Sequence, residues 1–161
     1  KAIEIDPNDG DAYYNRGLSK DYLEDYYGAI SDYTKALEIN PNDGDAYYNR
    51  ALVKEKLEDY YGAISDYTKA IEINPNDEEA YYNRAWNKGK LEDYYGAISD
   101  YTKAIEINPQ YAKAYLNRGN SYYSLNDQES ACKDFKKAVS LGHTSTEEWF
   151  KTDGAAWCRD M

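Results

Sequence analysis

Between Gly44 and Asp77, apolar and small residues recur at intervals of three and four in two blocks, separated by Leu57-Glu58-Asp59. That spacing places them on one face of a helix, so the segment predicts a helical hairpin. Asp59 is suited to cap the second helix, Pro75 ends it, and Asn76-Asp77 offers a cap for the next first helix. Strands do not compete, because Lys, Glu and Ala dominate and no period of two persists beyond a few residues. The same punctuation returns at Asp25, Asp93 and Asp127, and Pro7, Pro41, Pro75 and Pro109 stand 34 residues apart. Self-similarity at such a period predicts a solenoid whose units bury their apolar faces against one another, with function on a shared surface.

The period divides the chain into a truncated preceding repeat at 1–9, repeats at 10–43, 44–77, 78–111 and 112–145, and a capping helix with tail at 146–161. Lys1 to Pro7 matches Lys69 to Pro75, so the chain is expected to start inside a repeat whose first helix is missing, leaving Ala2, Ile3 and Ile5 uncovered. An uncovered edge of this kind predicts weak end-to-end self-association. In the fourth repeat Gly142-His143 replaces the proline turn, and Ser145 and Glu148 have capping-box spacing ahead of Trp149 and Phe150. A terminal helix near 145–152 follows, for a total of nine helices.

The repeated residues are Tyr13, Gly17, Ala29, Tyr33, Ala36 and Pro41, then Tyr47, Ala51, Ala63, Tyr67, Ala70 and Pro75. Tyr81, Ala85, Ala97, Tyr101, Ala104 and Pro109 follow, and the fourth unit has Tyr115, Gly119, Ala131, Phe135 and Ala138. Across nearly the whole chain this resembles the tetratricopeptide repeat. The resemblance implies an all-α fold, a right-handed superhelical solenoid of antiparallel helix pairs whose first helices line a concave, peptide-binding groove.

The chain departs from that pattern where the family has Leu and then Tyr in the first helix. Here stand Arg16 and Lys20, Arg50 and Lys54, Arg84 and Lys88; the fourth unit has Arg118 but keeps Tyr122. Like charges four apart repel, so acids are expected opposite them, with Asp32, Asp66, Asp100 and Asp134 the candidates. A ladder of structural ion pairs is the main expectation, with ligand contact the alternative.

Leu57 to Asn74 and Leu91 to Asn108 are identical, and Leu23 to Asn40 differs only at Leu37. The differences gather in the first helices, at Leu18, Asp21 and Tyr22, at Leu52, Glu55 and Lys56, and at Trp86 and Lys90. Either copied scaffolds carry different contact residues there, or exposed positions have drifted. Trp86, expected as a large exposed ring, favours contact. Asn15, Asn49, Asn83 and Asn117 recur mid-helix, where Asn is a poor residue. By resemblance such amides grip the backbone of an extended peptide; the alternative is a structural bond between helices. With Tyr14, Tyr48, Tyr82, Asn120 and the acids Asp11, Asp45 and Glu79, they complete the expected groove. Some members of the family clamp the C-terminal carboxylate of heat-shock chaperones with Lys and Asn, but Tyr14 with Leu18 and Tyr48 with Leu52 occupy the matching places. The clamp is therefore not expected, and a Lys- or Arg-bearing segment suits the acids and rings.

The net charge of -11 over 161 residues agrees, since it repels phosphate backbones and makes nucleic acid an unexpected partner. Tyr supplies 20 residues against 2 Phe and 3 Trp, so much aromatic surface tolerates partial exposure. Cys132 and Cys158 make no disulfide framework, which leans toward a reducing, cytoplasmic setting. No run approaches the ~18 apolar residues of a membrane span. Asp6 to Asp11 has its Gly one place early for a calcium loop, and His143 with two scattered Cys makes no zinc site. No cofactor, metal or catalysis is expected. The reading is a protein-interaction module for a basic or aromatic-containing peptide; the alternative is a structural spacer or self-associating rod.

Overall fold

The computed structural model describes residues 6–152 and 155–159, and among these every regular element is a helix. The chain separates into two compact units at Asn76 and Asp77. The first holds α1 (Gly10–Tyr22), α2 (Tyr26–Ile39), α3 (Gly44–Lys56) and α4 (Tyr60–Ile73). The second holds α5 (Glu78–Lys90), α6 (Tyr94–Ile107), α7 (Ala112–Ser124), α8 (Gln128–Ser140), α9 (Thr144–Phe150) and α10 (Ala156–Arg159). The described residues thus carry ten helices where the sequence predicts nine, the extra one being α10. Ala2, Ile3 and Ile5 lie outside the described residues.

The predicted caps form. Asp25, Asp59 and Asp93 accept the backbone N–H of Gly28, Gly62 and Gly96, each at 3.0 Å. Asp9 and Asp43 do the same for Ala12 and Ala46 at 2.9 Å, and Asp77 for Ala80 at 3.0 Å. The start of α7 differs, because Tyr111 has no capping side chain and packs its ring 5.0 Å from that of Tyr82 instead. The hairpin turns close without glycine. Glu24, Glu58, Glu92 and Asn126 take left-handed φ values of 62°, 59°, 60° and 61°. In the second repeat, the Asp59 N–H reaches back to the Lys54 carbonyl at 2.9 Å, satisfying a carbonyl that the helix end would leave unpaired. For Glu that backbone is strained by on the order of 1 kcal/mol.

Small residues let the helices approach and a ring fills the space beside them. In the first unit Ala29 and Tyr33 of α2 pack with Val53 of α3, and Ala51 of α3 with Ala63 and Tyr67 of α4. In the second unit Ala85, Ala97, Tyr101, Ala104, Ile105 and Ala114 form one cluster. Tyr33 and Tyr67 are fully buried, and the Tyr33 hydroxyl has no hydrogen-bond partner. The fourth repeat places Phe135 at the corresponding position. A buried unpaired hydroxyl costs about 1–3 kcal/mol, so Tyr33→Phe should raise stability by roughly 1 kcal/mol, read as a higher urea midpoint at unchanged slope. A lower midpoint would mean that the hydroxyl is solvated.

The end of the second unit departs most from expectation. The N-cap of α9 is His143 rather than Ser145, its Nδ1 accepting the Thr146 N–H at 3.4 Å. Cys132 of α8 and Cys158 of α10 are joined by a disulfide, with Cα atoms 5.3 Å apart. The argument for a reducing compartment from unpaired cysteines accordingly loses its basis.

Candidate functional site

The charged ladder resolves as ion pairs. Asp66 accepts from Arg50 Nε at 2.8 Å and Nη2 at 2.7 Å, and Lys54 Nζ stands 2.7 Å from Oδ2, the oxygen that Nε also reaches. Asp32 holds Arg16 and Lys20 at 2.6 and 2.9 Å, and Asp100 holds Arg84 and Lys88 at 2.7 and 2.8 Å. Asp134 takes Arg118 alone, at 2.7 Å, since Tyr122 replaces the lysine. Burial by itself would raise the Asp32 carboxyl, but the hydrogen bonds and charges of Arg16 and Lys20 outweigh it and hold it below the usual range. Arg50 and Arg118 also donate to Thr34 and Thr102 of the preceding repeats, at 2.9 and 3.0 Å. These cations are thus tied into the scaffold, although Arg16 remains 47% exposed.

In the first unit, the expected contact residues fall on α1 and α3. Asp11 and Asp45 are exposed in the first turns, where the positive helix end favours them. Tyr14 and Tyr48 are half-buried, their rings 5.8 and 5.6 Å from those of Tyr33 and Tyr67. Leu18 and Tyr22 are exposed, Tyr22 to 88%. Leu52 is half-buried against Ala51, Ala63 and Tyr67. Asp21 and Lys56, read as variable contact residues, pair with each other at 2.6 Å, and the lysine also stands 5.4 Å from the Tyr26 ring. Glu55 accepts the Tyr67 hydroxyl at 3.4 Å. The Asn49 amide donates to the Tyr14 hydroxyl at 3.0 Å and to the Asp45 carbonyl at 2.9 Å, while Asn15 donates to the Asp11 carbonyl at 2.8 Å. For Asn49 the geometry supplies a structural bond between repeats.

In the second unit, the Asn117 amide donates to the Tyr82 hydroxyl at 2.8 Å, repeating that bond. Asn83 is half-buried, and its carbonyl accepts the Asn87 amide at 2.8 Å. Glu79 is exposed at the start of α5. Trp86 is half-buried, not the exposed ring expected, with Lys90 Nζ 4.7 Å from its centroid. It walls a cavity of about 200 Å³ together with Lys90, Tyr101, Asn117 and Asn120. A second cavity of about 390 Å³ also borders Asn120 and is lined by Leu116, Tyr123, Phe135, Trp149 and Trp157. None of those five was singled out from sequence as a contact residue. The available signal was the bunching of Trp149 and Trp157 beyond the last repeat.

Acids act on one phenol in each unit, while Arg or Lys stands over Tyr13, Tyr47, Tyr81 and Tyr115. Burial, then the fields of Asp45 and Asp43, raise the Tyr14 phenol above its ordinary value. Burial, then neighbouring Tyr82 and the fields of Glu79, Glu78 and Asp77, do the same for Tyr111. No helix is long and apolar enough to cross a membrane among the described residues.

Comparison with curated proteins finds no match. Family profiles described as tetratricopeptide repeat match residues 10–43 and 44–77, 66–95, and 112–141. A profile described as TPR repeat matches 90–126. Among solved structures, the chain resembles a crystal structure of MamA at a TM-score of 0.86 and 24% identity, over 91% of this chain and 86% of that one. It likewise resembles residues 41-end of MamA from Desulfovibrio magneticus RS-1, with TM-score 0.82 and 25% identity over 88% and 80% of the two chains. MamA AMB-1 follows the same course at 0.76 and 20%, over 83% and 78%. At these identities the likeness is one of fold. With successive repeats matched from residue 10 to residue 141, the chain belongs to the tetratricopeptide repeat family.

Proposed function

We propose that this protein-interaction scaffold binds a cationic peptide segment along the first-helix face of its repeats, as a non-catalytic module. The observation that carries the reading is the acidic field around Tyr14 and Tyr111, set by residues that open the first helices. Rings beside carboxylates suit Lys and Arg side chains, through cation–π contact and charge-assisted hydrogen bonds. Asp21 and Lys56 pair with each other, so in the first unit this reading rests chiefly on Asp11, Tyr14, Leu18, Tyr22, Asp45 and Tyr48. In the second, Glu79, Tyr82, Trp86, Asn117 and Asn120 are the contributing residues.

Matched Lys-rich and Glu-rich peptides, titrated by calorimetry, test the reading. The Lys-rich peptide should bind at least tenfold tighter at low salt and weaken toward 1 M salt, where screening acts within ~3 Å. Trp86→Phe should leave the fold intact and weaken binding. Equal or reversed affinities would discard the cationic ligand. Growth in sedimentation with concentration, and no binding of either peptide, would favour a self-associating rod.

A further inference from the structure

We infer that the aromatic cavity bordered by Trp149 and Trp157 is an anchor site for one neutral aromatic side chain of the bound peptide, and that the Cys132–Cys158 disulfide must be closed for the anchor to exist. The proposal deepens the peptide-binding reading and rests on it. At about 390 Å³ the cavity falls within the ~300–1,000 Å³ typical of ligand sites, and its walls are mainly apolar.

Its lining contains no Asp, Glu, Lys or Arg, unlike the first-helix faces beside it. A charged side chain entering it would lose its water and gain no counter-ion, whereas a neutral ring loses little. The rings already form an edge-to-face network. Phe135 and Trp149 are 5.2 Å apart at 69°, and Trp149 and Trp157 are 6.2 Å apart at 64°. Tyr123 lies 5.6 Å from Trp157. Another ring joins such a network in the geometry that aromatic pairs prefer. Polar side chains also line it, among them Asn120, Ser145 and Thr146. His143, whose Nδ1 lies 2.8 Å from the Thr146 hydroxyl, borders the cavity beside them, so a hydroxyl or carbonyl of the occupant has polar groups to meet. Asn120 borders both cavities, so a peptide passing Trp86 reaches the anchor without leaving the face of α5 and α7.

The wall bearing Trp157 depends on a covalent tie. Helix α10 has 4 residues, too few to be stable alone, and Cys158 follows Trp157 directly. A dithiol can break the S–S bond with two electrons and two protons, yielding two Cys thiols and leaving as its own cyclic disulfide. The chain carrying Trp157 is then free to leave and the cavity opens on that side.

The test uses the whole chain, 15N-labelled, with the three indole N–H signals as reporters and unlabelled N-acetyl-tryptophanamide as probe. In the oxidised protein the probe should shift Trp149 and Trp157, leave Trp86 at rest, and bind equally at low and high salt. N-acetyl-lysinamide should bind at least tenfold more weakly. Dithiothreitol, or Cys158→Ser with its helical signal retained, should weaken the aromatic probe at least tenfold. Trp157→Ala in the oxidised chain should abolish the shift at Trp149, which keeps the inference testable if the cysteine variant does not fold. Equal binding by the lysine probe, undiminished binding after reduction, or an equal shift at Trp86 would each overturn it. Failure of the cationic-peptide reading would appear separately, as equal calorimetric affinities for the Lys-rich and Glu-rich peptides while the aromatic probe still shifts Trp149 and Trp157.

Discussion

Asp66→Ala should destabilise the first unit by about 3–5 kcal/mol, because it strands two cations that face a single buried carboxylate. The Asp66 side chain is 4% exposed, with Arg50 at 15% and Lys54 at 18%. Removing the anion leaves both cations partly desolvated and unpaired, and Arg50 keeps only its bond to Thr34. Asp32→Ala should cost less, since Arg16 is 47% exposed and water can take over its hydration. Urea unfolding followed by helical circular dichroism measures both. Equal losses, or a loss under ~1 kcal/mol for Asp66→Ala, would show that the ladder lies open to solvent. Replacing Arg50, Lys54 and Asp66 together by Met, Met and Leu should recover most of the loss, because a buried ion cluster is rarely more stabilising than an apolar one of similar volume.

The second large effect concerns pH. Burial, the leading cause, raises the phenols of Tyr33 and Tyr67 well above their ordinary value, assisted by the charges of Asp21 and Glu55 respectively. A raised folded-state value means that the contribution of the neutral phenol is fully present below the unfolded pKa of about 10 and is lost as pH rises beyond it. The unfolded chain releases those protons first, so each buried tyrosine costs about 1.4 kcal/mol per pH unit above that point. Together they should remove about 2.7 kcal/mol from the first unit by pH 11. The helical signal should fall along the alkaline titration. In Tyr33→Phe/Tyr67→Phe the alkaline midpoint should move upward; an unmoved midpoint would assign alkaline unfolding to other groups.

Much of the fold was legible because its causes are local. Asp at the N-caps, Pro after the second helices and small residues at intervals of three and four each act within one or two turns, so they can be read along the chain. The ladder was legible for a related reason. Arg and Lys four apart require an acid opposite, and the repeat offered one candidate per hairpin. The hairpin turn was harder, since Glu58 takes the left-handed backbone that usually marks itself with glycine, and only Asn126 hinted at it.

The amino-acid sequence by itself determined the helix pairs, their repeat, the acidic balance and the charged pairs, through short-range rules acting the same way four times. Which neighbours the first-helix residues meet is visible only in three dimensions. Asp21 and Lys56 cancel each other across 35 positions of sequence, Asn49 spends its amide on Tyr14, and Trp86 turns partly inward. The aromatic cavity was beyond sequence reading altogether. Its walls come from the fourth repeat and from helices past the end of the period, joined by a bridge between cysteines 26 residues apart. Periodicity speaks only for residues that repeat, and these occur once, so their meeting depends on how the terminal helices pack against α7 and α8.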